Sequence, residues 1–318
     1  MAAFGCTLAI SGEHLDPSAL GGLAQTAEDL GFDSVWVSDH VVIPERIASA
    51  YPYSPDGAFH SGPSTPVLEP LSTLAYLAGR TRKVRLGTHV LILPYRNPVL
   101  TAKMVTSIDN LSGGRLDLGV GVGWMREEFE ALGQGDYYER RGAMSDEQMR
   151  VLRALWTEDL PRFSGEFYRF EPLGARPQPV QKPHPPIWIG GHTPAALRRV
   201  GRYGDGWLPI GARPPAHLPP PEIAAGMARI REVAAQAGRD PGAIRLGFST
   251  TLRLDPAASR ADGRRPFQGS PDDIRADLRG YEEVGVQRFV LNFGPAPAAE
   301  YERRLRQFVE QVRPALAA

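Results

Sequence analysis

Residues 115–128 read RLDLGVGVGWMREE, and the fold turns on them. Leu116 and Leu118 alternate with polar neighbours, and then glycine breaks in at Gly119, Gly121 and Gly123. That pattern is a buried strand running into a loop whose backbone must come close to something. A dinucleotide fingerprint, G-x-G-x-x-G, fails in both registers, because its third glycine falls on Trp124 or on Arg126. A Walker-type phosphate loop fails as well, since no Gly-Lys-Ser or Gly-Lys-Thr follows. The plain alternative is a glycine-softened turn between a strand and a helix. The flanking sequence chooses between them.

Upstream, residues 4–10 form a short apolar run, 33–37 a second and 83–93 a third, with Gly87 inside it expected to mark a bulge or a close backbone approach. The helices between them read clearly. Asp16-Pro17 is expected to cap the first, which carries Leu20, Leu23, Ala24, Ala27 and Leu30 at helical spacing and stops at Gly31. The next runs over 70–77 and is closed by Gly79, and a third opens at Asn97-Pro98 and ends near Gly113. Downstream, strands are expected at 186–191, 204–209, 244–250 and 287–292. Helices are expected at 127–132, 140–156, from Pro194, and at 223–237, 271–284 and 298–312. An excursion over 157–186 contains a small hairpin at 163–168 and an extended Arg176-Pro177-Gln178-Pro179 linker. Strand and helix alternate, with connections too long for hairpins, so the strands are parallel. Eight such units predict an α/β fold, a (β/α)8 TIM barrel in one domain over 1–318, with insertions after strands two, four and seven. The loops 40–66 and 251–269 are expected to be lids.

Composition removes several function classes. Lys+Arg and Asp+Glu are both 36, and no basic run is interleaved with aromatics, so nucleic acid is not expected as a partner. The single cysteine, Cys6, rules out an intramolecular disulfide and a cysteine metal cluster. Neither metal-ligand spacing nor a nucleophile elbow is present. No apolar run approaches the ~18 residues of a membrane helix, and the start of the chain lacks the basic-then-apolar pattern of a leader. These features point to a soluble cytoplasmic protein.

A barrel carries its function on the loops after the strands. That face collects Glu13 and His14, Asp39 and His40, His89, residues 119–124 and 190–193, Trp207 and Asn292. The glycine loops after strands four and five are neighbours in such a barrel. Gly190-Gly191-His192-Thr193-Pro194 also opens a helix, so backbone N–H groups and the helix dipole there offer an anion site without a basic side chain. Thr193 adds a hydroxyl to that site or simply caps the helix. The residues alone reach a phosphorylated ligand in a barrel, and no further.

Three blocks go further: LGTHVLILPYRNPVLTAK (86–103), GGRLDLGVGVGWMREEFEALG (113–133) and IWIGGHTPAALRRVGRYGDGW (187–207). Together they resemble the luciferase-like monooxygenase superfamily, specifically its coenzyme F420-dependent oxidoreductases, over nearly the whole chain. The resemblance implies a barrel that binds F420, or in some relatives FMN, with the ring against a bulge in the third strand containing a non-prolyl cis peptide. It places that bulge at His89-Val90, just after Thr88. It implies that Asp39 contacts the ring and that His40 lies at the reacting face as acid or base, although a loop-capping or core histidine is the plain alternative. Gly121, Val122, Gly123 and Trp124 then contact the cofactor tail, with Gly190, Gly191, His192 and Thr193 as the second phosphate loop. Trp124 stands where the sugar-phosphate dehydrogenase branch has a proton-donating glutamate. The donor is therefore His40, Glu13, Tyr51 or Tyr53, or solvent. The implied activity is hydride transfer between F420 and a small organic substrate, an alcohol/carbonyl or an activated C=C or C=N bond. An FMNH2-dependent monooxygenase fed by a separate reductase is the alternative, and a homodimer is expected in either case. Glu127 and Glu128 read as complements to a helix dipole. Arg96 and Arg126 read as tail contacts or exposed charges.

Overall fold

The computed structural model describes residues 2–255, 257 and 264–316. Its strands are β1 (Ala3–Thr7), β2 (Ser34–Val37), β3 (Arg85–Thr88), β4 (Leu91–Ile92), β5 (Leu116–Gly121), β6 (Phe163–Ser164), β7 (Arg169–Phe170), β8 (Ile187–Ile189), β9 (Gly206–Trp207), β10 (Arg245–Thr251), β11 (Arg253–Leu254), β12 (Gln268–Gly269) and β13 (Arg288–Asn292). The main sheet runs β3-β2-β1-β13-β10-β9-β8-β5-β4, and a β3–β5 pairing closes it. Every pair in it is parallel. β3 and β4 share one position, because β5 pairs first with β3 (Leu86↔Leu116) and then with β4 (Leu91↔Val120). The result is a closed parallel barrel of eight positions, in agreement with the sequence.

Around it lie α1 (Leu20–Asp29), α2 (Pro70–Arg80), α3 (Pro98–Ser112), α4 (Arg126–Ala131), α5 (Arg141–Thr157), α6 (Pro194–Tyr203), α7 (Pro220–Gln236), α8 (Pro271–Glu283) and α9 (Ala298–Gln307). The starts of α3 and α8 follow cap chemistry: Asn97 accepts from the N–H groups of Val99 and Leu100, and Ser270 with Asp273 forms a capping box. Of the expected boundaries that move, two have a local cause. Asp16 spends its carboxylate on the Ser18 N–H and hydroxyl, making a local turn, so α1 begins only at Leu20. Gly79 does not stop α2, which continues to Arg80 and ends where Thr81 turns extended and its hydroxyl donates to the Leu77 carbonyl at 2.8 Å.

The lumen has a charged floor. Arg288 on β13 reaches Asp117 on β5 at 2.8 Å, and these strands stand on opposite sides of the barrel, so the contact crosses the interior. Arg85 adds a fork to the same carboxylate at 2.7 and 3.0 Å. Above it pack Trp36, Trp188, Leu208 and Val290. Gly87 belongs to this layer: a Cβ there would fall 2.2 Å from the Trp36 ring, so the glycine makes room for an indole and the strand break comes two residues later. On the outside, Phe4 meets Phe308 edge to face beneath the closing helix.

Residues 38–69 join β2 to α2. β6 and β7 form the antiparallel hairpin, with Phe163 opposite Phe170. β11 pairs with β12 after β10, while residues 256 and 258–263 of the expected 251–269 lid lie outside the described residues. Among the described residues no helix is long and apolar enough to cross a membrane, and no group of three or more His, Cys, Asp or Glu is placed to hold a metal.

Candidate active site at the barrel mouth

The break between β3 and β4 is the His89–Val90 peptide, which is cis. Its neighbours hold it from three sides. The His89 N–H donates to the Val37 carbonyl at 2.7 Å. Thr88, fully buried, donates its hydroxyl to the Gly119 carbonyl at 2.6 Å. Asp39 accepts from the Ile92 N–H at 2.8 Å and takes both prongs of Arg96 at 2.6 and 2.9 Å. Arg96 also bonds Glu69 at 3.0 Å, and Glu69 accepts from Ser72 N–H at the start of α2. Arg96 is therefore a half-buried clamp between two carboxylates and not an exposed surface charge. Asp39 has both oxygens committed to that clamp and to β4, so it supports the bulge from behind.

The Val90 side chain seats the bulge between the two glycine loops. A Cβ on Gly121 would fall 2.5 Å from it, so Gly121 leaves room for the bulge, and one on Gly190 would press on it at 3.0 Å. β5 and β8 pair directly, and the Gly190 N–H donates to the Val120 carbonyl at 3.1 Å. The loops Gly121-Val122-Gly123-Trp124 and Gly190-Gly191-His192-Thr193 thus stand side by side. Thr193 accepts from the Ala196 N–H and caps α6. The Trp207 indole donates to the Gly191 carbonyl at 2.8 Å. Tyr138 donates to the Trp124 carbonyl at 2.7 Å.

His40 sits beside this cradle with a partner that sequence reading assigned to a helix dipole. Its Nδ1 is 2.8 Å from Oε2 of Glu128, a fully buried carboxylate in α4. Oε2 also accepts from the Tyr95 hydroxyl at 2.9 Å, while Oε1 accepts from the Val41 and Val42 N–H groups at 2.6 and 3.2 Å. Burial works against the Glu128 charge, but the hydrogen bonds from His40, Val41 and Tyr95 prevail and hold the carboxyl below its ordinary value. Burial, and then the Glu128 charge, push the Tyr95 hydroxyl far up, so Tyr95 stays a donor. An ionised carboxylate only accepts, so the neutral His40 ring carries its proton on Nδ1 and leaves Nε2 as an acceptor.

Two other histidines present unmatched nitrogens. Nε2 of His89, at the bulge, is buried without a hydrogen-bond partner, and so is Nδ1 of His192, in the second glycine loop. Burial lowers His89 to about 4. It also lowers His192, against an opposing pull from Glu222. Both are neutral at pH 7, and each can still give or take one hydrogen bond.

The loop after β2 covers this region and is tied down. Glu127 accepts from the Ala48 and Ser49 N–H groups at 2.7 and 3.1 Å, and the Arg126 N–H donates to the Ser49 hydroxyl at 3.0 Å. The Arg126 side chain turns instead to Glu139 and over the Tyr138 ring. Glu13 is not brought to His40. It is exposed beside His14, at 3.4 Å.

A family model described as luciferase-like monooxygenase matches residues 4–267. The chain belongs to that family. A protein of Mycobacterium tuberculosis with no assigned function is 36% identical over 217 residues, 68% of this chain and 72% of its own. An F420-dependent glucose-6-phosphate dehydrogenase of Nakamurella multipartita is 28% identical over 343 residues, covering 97% of this chain and 95% of that protein. The crystal structure of monooxygenase RslO1 from Streptomyces bottropensis superposes with a TM-score of 0.76 at 24% identity, over 98% of this chain and 99% of that one, and shares the fold. This luciferase-like protein is accordingly an enzyme of the oxidoreductase class.

Proposed function

We propose that this enzyme uses coenzyme F420 to move a hydride to or from a small organic substrate, an alcohol/carbonyl pair or an activated C=C or C=N bond. The observation that carries the reading is the His40–Glu128 pair, an oriented base beside a bulge and two glycine loops. The relative named as F420-dependent supports the choice of cofactor. So do the two unmatched imidazole nitrogens, which suit the polar edge of a flat heterocycle.

Thr88, His89 and Val90 would lie against the ring. Gly121, Val122, Gly123, Trp124, Gly190, Gly191, His192 and Thr193 would hold its tail through backbone N–H groups and the start of α6. Bound F420 would supply or accept the hydride. The protein's part is the proton. Nε2 of His40 takes it from a substrate hydroxyl in oxidation, or returns it to a carbonyl oxygen in reduction, while Glu128 steadies the imidazolium across Nδ1. Rings of Trp124 and Phe59, 6.3 and 5.0 Å from His40, keep water from the reacting face. Tyr51 is the neighbour of these rings, not of the Glu128 system.

The sugar-phosphate reaction of the Nakamurella relative is a poor fit, because Trp124 replaces the acid expected there by resemblance. An FMNH2-dependent monooxygenase is the second reading, favoured by the family description and by the shared fold of RslO1. Fluorescence titration with F420 and with FMN tests the choice. F420 binding followed by substrate-dependent bleaching of its absorbance is expected; FMN binding with oxygen uptake and no response to F420 would overturn it.

A further inference from the structure

The roof of the mouth carries a cation that nothing among the described residues neutralises. The loop after β2 crosses the barrel opening and meets the loop after β9, which stands opposite β2 in the strand order. The bridge between them is Arg213, half-buried, with its guanidinium 5.7 Å from the Tyr51 ring centre and 6.0 Å from that of Tyr53. Among the described residues no carboxylate pairs with it, and its side chain has only these rings. Tyr51 in turn packs on Trp124 at 5.0 Å and on Phe59 at 5.2 Å, and Phe59 lies 5.0 Å from His40. A continuous aromatic surface thus runs from the oriented base to a single unpaired guanidinium.

The backbone under Arg213 is unusual as well. Arg213 N–H bonds the Ala216 carbonyl at 3.0 Å, and Ala212 N–H bonds the His217 carbonyl at 2.7 Å. Ala212 and Leu218, at the two ends of this turn, have φ of 50° and 45°, a left-handed region that disfavours residues with a side chain. Such backbone persists where the surroundings over-determine it, often at ligand clamps.

We infer that the substrate carries a carboxylate that Arg213 binds, and that its flat apolar body lies along Trp124 and Phe59 with its reacting carbon toward His40. A guanidinium forks onto a carboxylate with two parallel bonds, and one positive charge matches one negative charge. A phosphate dianion would call for a second cation, and the surface between Arg213 and His40 is aromatic. The inference rests on the mouth being the substrate site of the reaction proposed above.

The test uses benzoate against its neutral isostere benzamide, titrated into F420-loaded wild-type protein and into Arg213→Gln, with binding followed by tryptophan fluorescence. Benzoate should bind wild type about 10- to 100-fold more tightly than benzamide, the range of a charge-assisted pair. Arg213→Gln should lose that preference while still binding benzamide, which shows the aromatic surface intact. Arg213→Lys should keep part of it. Equal binding of the two probes by wild type overturns the inference even if a variant fails to fold. So does a preference that survives Arg213→Gln, or tighter binding of glucose 6-phosphate than of benzoate. Failure of F420 itself to bind would strike the proposed reaction alone, because benzoate and benzamide are also compared on cofactor-free protein.

Discussion

Glu128→Gln should invert the tautomer of His40. The geometry leaves the amide one choice. Oε1 of Glu128 receives two backbone N–H groups, from Val41 and Val42, and these can only donate. The single carbonyl oxygen of glutamine must therefore occupy that side, and its NH2 must face Nδ1 of His40 and the Tyr95 hydroxyl, where Oε2 stood. Tyr95 can rotate its proton away and accept. His40 can accept only by moving its proton to Nε2, the nitrogen that has to take a proton from the substrate. Correctly placed acid–base catalysis contributes about 10²–10⁴-fold, so turnover should fall by that factor, with the dissociation constant of F420 changed far less. Four charge-assisted bonds become neutral ones, which should cost ~1–3 kcal/mol of stability. The pH dependence supplies a further check. Glu128 is held below the ordinary glutamate value of 4.5, so its stabilisation is full above that value and is lost as the pH falls through its folded pKa. Wild type should therefore lose more stability on acidification than the variant. Two-bond ¹⁵N–¹H correlation spectra of the His40 ring read the tautomer, and single-turnover kinetics read the rate. An unchanged tautomer, or a turnover within twofold of wild type, would refute the reasoning.

The charged floor should matter for stability and not for chemistry: Asp117→Asn leaves Arg85 and Arg288 in the lumen without their shared anion, at ~3–5 kcal/mol, measured by urea melts. Gly119→Ala would set a Cβ 1.9 Å from the Thr88 carbonyl oxygen, so the backbone before the bulge must move. A loss of ~1–3 kcal/mol is expected, together with weaker F420 binding seen by titration. His89, lowered by burial from 6.5 to about 4, is neutral in the fold while the unfolded chain takes up a proton first. Stability should drop, by ~1–3 kcal/mol, as the pH falls from about 6.5 to about 4, and His89→Phe should flatten that slope in melts across the same range.

The barrel was legible because short apolar runs alternate with helices of the right period, and the glycine runs mark where strands give way to loops. The cis peptide at His89–Val90 also lies where the resemblance placed it. What escaped the sequence was long-range pairing. Glu128 has the local signature of an acid in the first turn of a helix, and nothing nearby announces a partner 88 residues away. The one usable signal was topological, since the loops after the second and fourth strands share a barrel mouth. Arg96 was misjudged for the same reason: its carboxylates come from Asp39 and from Glu69 at the start of α2. Asp16 shows the opposite error, a capping residue whose chemistry is used up locally before the helix begins. Arg213 carried no motif at all, and only the crossing of two loops over the mouth gives it meaning.

The most direct measurement is a parallel titration of the purified protein with F420 and FMN, with absorbance and dissolved oxygen recorded through one turnover. F420 is expected to bind and to be reduced or oxidised with substrate while oxygen stays constant. Selective binding of FMN with oxygen consumed and F420 ignored would contradict it.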